Sequence, residues 1–238
     1  MPPLAAFPRA HQLTFNYYAG LIAFLDDDYA TAEPLLHAAY TMCPASTSSP
    51  AAARNRDRIL TYLIPTRLLT AHRLPTRALL APSPPLDRLF TPLCTALRRA
   101  DLAAFTRALD AAEPALVHAR IYLTLERARD ILLRNLFRRV FLAGGFEPPT
   151  VAAVKDGEAA GDAPTAPVRR TRIPVREFAA ALVLSGADVG DGEGGWDRDE
   201  VECLIANAIY KGFMKGYIAR ERGMVVLSKA GAFPGTGV

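Results

Sequence analysis

The chain has 238 residues, half of them hydrophobic, enough for one large domain or two smaller ones with real cores. Charged residues make up 22%, which excludes a disordered polymer. The formal net charge of +4 and a pI near 9.1 suit an acidic partner, and they serve plain solubility equally well.

No apolar run approaches the ~18 residues needed to span a bilayer, so no membrane partner is expected. The opening MPPLAAFPRAHQ lacks the basic start and long apolar core of a signal peptide. Cys43, Cys94 and Cys203 are few, odd in number and far apart. That argues against a disulfide framework and for a reducing compartment, cytosol or nucleus.

Residues 12–42 read as a helical hairpin. Tyr17, Leu21, Phe24 and Leu25 fall at helical spacing, Asp26, Asp27 and Asp28 break the run, and Leu35, Leu36, Ala39 and Tyr40 form the next apolar face. Proline inside a helix costs ~3 kcal/mol, which predicts a cap near Thr31 with Pro34 in the first turn. The stretch YYAGLIAFLDDDYATAEPLL has the small crossing residues and core aromatics of a tetratricopeptide-type unit. A helical pattern this close to the start reads as the later part of a longer helical array.

After the loop PASTSSP, helices are expected over 53–72, 76–80, 85–99 and 101–111. One long helix is expected from Pro114 to about Leu142, before Gly144 and Gly145. On it Arg120, Arg127, Arg134 and Arg138 fall on one stripe opposite Leu125, Leu132 and Leu136. The stripe reads as a track for RNA or an acidic peptide, or as a solvated face with Asp130 and Arg134 an ordinary i,i+4 pair. Arg54, Arg56, Arg58 and Arg67 form a second cluster, suited to an acidic ribbon-like partner or again to solvent. The helical-repeat part therefore covers 12–143, followed by a Gly-, Pro- and acid-rich flexible insertion over 144–168.

Residues 169–232 read as a second subdomain. Arg169, Arg170 and Arg172 precede a short helix from Pro174 that turns Phe178, Ala181 and Leu182 inward, and SGADVGDGEGG is a flexible loop. Asp197 and Glu200 have capping-box spacing, and Val201, Leu204, Ile205, Ala208 and Ile209 form a one-sided apolar face ending at Gly212. GYIA and MVVLS are strand-like runs joined by Arg220, Glu221, Arg222 and Gly223, the glycine supplying a positive φ.

Helix, loop, helix and β-hairpin is a winged-helix layout. Lys211 and Lys215 lie where helix meets hairpin, and Arg220 and Arg222 crown the turn. Exposed long cations there suit phosphate contacts, and Arg169, Arg170 and Arg172 extend the same field. A winged helix also serves as a dimerisation surface, and four cations in a small domain also make a solvated face. Phe213, Met214 and Tyr217 are expected in the core rather than on a docking edge.

A helical stack with a terminal winged helix resembles the PCI-domain family, named for the proteasome lid, the COP9 signalosome and a translation initiation factor. The resemblance rests on YYAGLIAFLDDDYATAEPLL, RNRDRILTYLIPTRLL, IYLTLERARDILLRNLFRRVF, DEVECLIANAIYKGFMKGYI, VVLSK and the closing FPGTG. It is greatest toward the branch of signalosome subunit-twelve homologues and the PCI subunit of the TREX-2 mRNA-export complex.

The fold it implies is mainly α, a tetratricopeptide-like stack with a C-terminal winged-helix subdomain. The function it implies is a non-enzymatic scaffold of nucleus and cytoplasm. Its implied partners are a second PCI-domain subunit, a small acidic disordered subunit shared with the proteasome lid, and RNA or DNA. The alternative is a signalosome accessory subunit acting through protein contacts alone. A lone DNA-binding regulator is a third reading, against which the large helical platform argues.

Catalytic signals are missing. His11, His37, His72 and His118 are scattered without metal-ligand spacing, and no phosphate loop, nucleophile elbow or metalloprotease motif occurs. Cys203 reads as a half-buried small residue. No catalytic residue, metal site or cofactor is expected.

Overall fold

Helices α1 (Arg9–Leu25) and α2 (Tyr29–Met42) form the expected hairpin in the computed structural model, which describes residues 3–45, 49–146, 169–186 and 196–236. Phe24, Leu36 and Ala39 are buried on the facing sides. Gly20 lets the two helices touch: a Cβ there would stand 2.9 Å from Leu36 Cγ and 3.1 Å from the Leu36 backbone nitrogen. The other side of α1 exposes Phe15, Tyr18, Ile22 and Leu25, again at helical spacing.

Helices α3 (Pro50–Ala71), α4 (Arg77–Leu80), α5 (Pro84–Arg99), α6 (Leu102–His118) and α7 (Tyr122–Glu126) complete a first compact unit, Met1–Ile131. Side chains of Asp28, Ser49, Thr76, Ser83 and Asp101 each accept a backbone N–H at a helix start, satisfying donors that otherwise lack partners. The Asp27 carboxylate pairs with Arg127 at 2.7 Å and accepts from the Tyr29 hydroxyl, tying the first turn to the end of α7. Those two hydrogen bonds hold the Asp27 carboxyl below its ordinary range.

The second unit, Leu132–Val238, takes in the rest of α8 (Arg129–Ala143). Phe137 meets Phe178 edge-on, and Phe141 packs on Phe233. Strand β1 (Arg172–Pro174), helices α9 (Val175–Leu184) and α10 (Arg198–Tyr210), and strands β2 (Gly216–Ala219) and β3 (Met224–Leu227) follow. The sheet is antiparallel in the order β1-β3-β2. Ile173 and Val225 face each other in register and are fully buried beside Phe178, Leu182, Val201 and Ile205.

Glu200 accepts the Asp197 backbone N–H in the predicted capping box. At the other end of α10, Gly212 (φ 73) donates to Ile209 and Phe213 donates to Ala208, a Schellman stop. Gly223 takes φ 61 after the 3₁₀ turn Arg220–Arg222. The mainly α architecture with a small C-terminal sheet agrees with the expectation, and no described helix is long and apolar enough to cross a membrane.

Three expectations need correction. The helix expected from Pro114 is three pieces, because α6 runs on through Pro114 to His118 and stops there. Burial of Phe105, Leu109 and Leu116 on one face carries the helix past the proline. Arg120, at φ 58, then occupies the left-handed position of a Schellman stop, with Ile121 donating to Leu116. Pro34 likewise lies inside α2, since the cap is Asp28 rather than Thr31. Strand β1 was not anticipated; Ile173 is its only fully buried residue, too short a signal to see beforehand.

Of the expected insertion, residues 147–168 lie outside the described residues, as do 187–195 of the Gly-rich loop and 46–48 of the first loop. Phe146 bridges Arg169 across the gap.

Gly20→Ala will lower stability by roughly 1–2 kcal/mol, because overpacking against Leu36 outweighs the better helix propensity of alanine. A fall of a few degrees in the thermal midpoint would register it, and an unchanged or raised midpoint would refute it.

Candidate nucleic-acid interface

The cations at the wing do not act as one group. Beginning at its N-terminal end, α10 places Arg198, Asp199 and Glu202 beside the turn Arg220–Arg222. Arg198 Nε donates to Glu202 at 2.8 Å, and its terminal nitrogen donates to the Arg220 carbonyl. Arg220 pairs with Asp199 at 2.7 Å and approaches Glu202 at 3.6 Å. Glu202 is only 7% exposed, so this carboxylate is the hub. Arg220 is therefore engaged with acids rather than held out toward a phosphate.

Lys211 and Lys215 are exposed but lie at the opposite end of the hairpin. Five steps of extended chain lead from Lys215 to Arg220, about 16 Å. Arg169 caps the aromatic edge of the unit instead of facing solvent. Its guanidinium lies 5.5 Å from the Phe141 ring centroid and 4.7 Å from that of Phe146, and it donates to the Leu142 carbonyl. Arg170 pairs with Glu177 at 3.3 Å and donates to the Arg172 carbonyl. Arg172 and Arg222 are exposed.

Two cations the sequence reading passed over, Arg176 and Arg198, join Arg222 around a cavity of about 410 Å³ with Pro174, Val175, Trp196, Gly223 and Met224. Arg176 looked like an ordinary outer residue of α9, and Trp196 followed a loop with no periodicity. The one available signal was that Trp196 is the only tryptophan, set between a Gly-rich run and the charged cluster Asp197–Glu200.

Register carries the cavity onto the sheet. Arg172 and Tyr217 both pair with Val226, while Pro174 pairs with Met224 two residues on, so all share the outer face. Tyr217, expected in the core, is 62% exposed there; Met214 is buried as expected and Phe213 half-buried. The outer side of α10 is different again. It shows Asp199, Glu200, Cys203, Ala206, Asn207 and Tyr210, with no Arg or Lys from Asp199 to Tyr210. The helix itself supplies no cation there, and Arg220, which lies against its start, is paired with Asp199.

The Arg stripe expected on the long helix does not exist, since its members sit on different pieces. Arg127 is taken by Asp27 and Tyr29. Arg134 is 4% exposed and donates to the Pro234 carbonyl, with burial and the neighbouring Arg138 pushing its pKa down. Within the other cluster, Arg56 stacks 4.2 Å above Tyr40 and donates to the Cys43 carbonyl, and Arg67 pairs with Glu33. Only Arg54 and Arg58 of that set are exposed, Arg58 beside Tyr17 and Tyr18.

No group of three or more His, Cys, Asp or Glu side chains that could hold a metal occurs among the described residues. Burial pushes the Cys94 thiol up to about 11, which leaves it protonated at neutral pH. Cys203 is exposed rather than half-buried, one turn outside the apolar face of α10.

The winged helix, following helix pairs in the sequence, defines the class of protein. Residues 109–229 match the PCI domain, and the chain belongs to the PCI domain family. It is 52% identical over 238 residues to a Protein CSN12 homolog of Neurospora crassa, covering 100% of this chain and 48% of that protein. It is 36% identical over 234 residues to a Protein CSN12 homolog of Schizosaccharomyces pombe, covering 98% of this chain and 47% of that protein. It is 32% identical over 228 residues to PCI domain-containing protein 2 of Xenopus laevis, covering 96% and 48%. The chain thus spans about half the length of the curated relatives it matches.

Glu202→Ala will destabilise the winged-helix unit by roughly 1–2 kcal/mol. Breaking a buried pair costs more than that, but both arginines here are substantially solvated. Urea unfolding followed by Trp196 fluorescence checks it, and an unchanged midpoint would remove Glu202 from its role as hub.

Proposed function

We propose that the chain is a non-enzymatic PCI scaffold subunit, present in nucleus and cytoplasm. It pairs with a second PCI protein through its winged helix and helps to bind RNA or DNA in transcription-coupled mRNA maturation or export. The observation that carries this is the division of the winged-helix surface. A cationic, aromatic edge formed by Arg172, Arg176, Arg222, Trp196 and Tyr217 lies apart from the outer face of α10, where Arg220 is paired with Asp199.

The first surface suits phosphates and unpaired bases, which want long cations next to flat apolar groups. The second suits a protein, because Tyr210, at its end, is 91% exposed and Cys203, Ala206 and Asn207, which precede it on that face, carry no charge to desolvate. Arg54 and Arg58, the latter beside Tyr17 and Tyr18, are where a small acidic subunit would lie. Kinship to proteins named CSN12 homolog and PCI domain-containing protein 2 supports the scaffold reading.

The same α10 face favours one alternative, a COP9-signalosome accessory subunit that works only through protein contacts. In that case Arg172, Lys211, Lys215 and Arg222 are surface charge.

Fluorescence anisotropy with a short RNA and a short DNA duplex, across a salt series, separates the two. Arg172, Lys211, Lys215 and Arg222 are changed together to Glu. Arg220 is left in place, because reversing it would set a third carboxylate against Asp199 and Glu202. Salt-sensitive binding that the variant loses is expected; no binding, or equal binding by the variant, selects the protein-only reading.

Pairing has its own check. Tyr210→Glu should release the second PCI subunit from the purified complex in light scattering, and a complex that survives it would move the pairing surface off α10.

A further inference from the structure

The cavity beside the wing has features that neither solubility nor core packing requires. Its lining combines three guanidinium groups, Arg176, Arg198 and Arg222, with the apolar side chains of Pro174, Val175, Trp196 and Met224, and among the described residues it includes no carboxylate. Trp196 Nε1 is buried and has no hydrogen-bond partner among the described residues. A buried indole N–H normally finds an acceptor, so this one marks Trp196 as a side chain whose place is not explained by core packing alone.

The cations are also prepared for a ligand. Arg198 is immobilised by Glu202 and the Arg220 carbonyl, and its guanidinium lies 3.7 Å from where a Cβ on Gly223 would stand. Arg176 and Arg222 are exposed and form no ion pair among the described residues. The Arg198 charge is largely met by Glu202, which leaves Arg176 and Arg222 as the two cations of the hollow with no acidic partner among the described residues.

We infer that this hollow is a nucleotide-binding notch for single-stranded nucleic acid, in which Arg176 and Arg222 hold a backbone phosphate while Trp196, Pro174 and Met224 receive the adjoining base. The notch deepens the nucleic-acid reading above and rests on it.

Size and chemistry select the ligand. A volume of about 410 Å³ exceeds what a lone phosphate fills and falls in the range of small-ligand sites. An acidic peptide side chain would use the cations but leave the flat apolar wall wet, whereas a base covers it. A duplex keeps its bases stacked inside and cannot offer one to Trp196. The acidic start of α10, at Asp199 and Glu200, also opposes entry of that helix into a groove. Arg172 and Tyr217, on the same sheet face as Pro174 and Met224, continue the path for the next nucleotide.

Because Trp196 is the only tryptophan, its fluorescence reports directly on the notch. The full chain is titrated with a fluorescein-labelled oligo(U) strand of about 15 nucleotides, with the matching duplex, and with inorganic phosphate at equal ionic strength. In parallel, unlabelled strand is followed by Trp196 emission. The single strand is expected to bind more tightly than the duplex and to quench Trp196.

Arg176→Glu with Arg222→Glu should weaken binding at least tenfold and flatten the salt slope by about 0.7, for one phosphate no longer neutralised on a single strand. Trp196→Ala should weaken it roughly tenfold, as expected for one stacked base. Arg88→Glu with Arg107→Glu, an equal charge change on exposed positions of the first unit, controls for net charge.

If wild type binds the strand but the notch variants lose no more than the control, the notch is overturned while the nucleic-acid reading stands. Quenching of Trp196 by phosphate alone would reassign the notch to a free anion. If wild type binds neither RNA nor DNA, both readings fall. Circular dichroism of each variant confirms that a lost signal is not lost folding.

Discussion

One carboxylate governs the layout of the winged-helix surface. Glu202 sits a turn into α10, almost out of solvent, with Arg198 on one side and Arg220 on the other. A buried carboxylate with no cation would be costly, so it fixes both arginines in place and anchors the wing to the start of α10. Everything exposed nearby is arranged around that anchor. Arg222 is left on the rim, Arg198 forms one wall of the adjacent hollow, and Asp199 takes the remaining reach of Arg220.

The same logic explains why a chain with a modest positive excess can still carry a defined cationic edge. Much of its arginine has structural work. Arg56, Arg134 and Arg169 donate to backbone carbonyls, with Arg56 and Arg169 also stacked on aromatic rings. Arg67, Arg127 and Arg170 hold acids on neighbouring segments. The planar guanidinium suits both tasks, which a lysine would serve less well. Arg172, Arg176 and Arg222, exposed and without an ion pair among the described residues, gather where β1, α9 and the wing meet, and their grouping is more informative than the net charge.

Helix punctuation was legible wherever a side chain did the capping. Asp101 and the Asp197–Glu200 box mark helix starts because a short acceptor close to the first turn works locally. Stops and interruptions were harder. Gly212 and Gly223 announced their positive φ, but Arg120 occupies the same conformation with a residue that gives no hint of it. Pro34 and Pro114 read as boundaries, yet both lie inside helices whose apolar faces are buried well enough to outlast one missing hydrogen bond.

By itself the sequence determined the class of fold, mostly helix with a terminal winged helix, because periodicity and caps act over a turn or two of chain. It also determined that Lys211, Arg220 and Arg222 lie near the junctions of the last elements. Only the tertiary structure decided which cations are free. Ion pairing depends on what a distant segment brings within about 4 Å, and Arg220 meets Glu202, and Arg198 meets the wing, across a turn and a strand. The hollow beside Trp196 belongs to the same category. Its walls come from β1, α9, the segment just before α10, the first turn of α10, the wing turn and the start of β3, and no local pattern in the chain connects them.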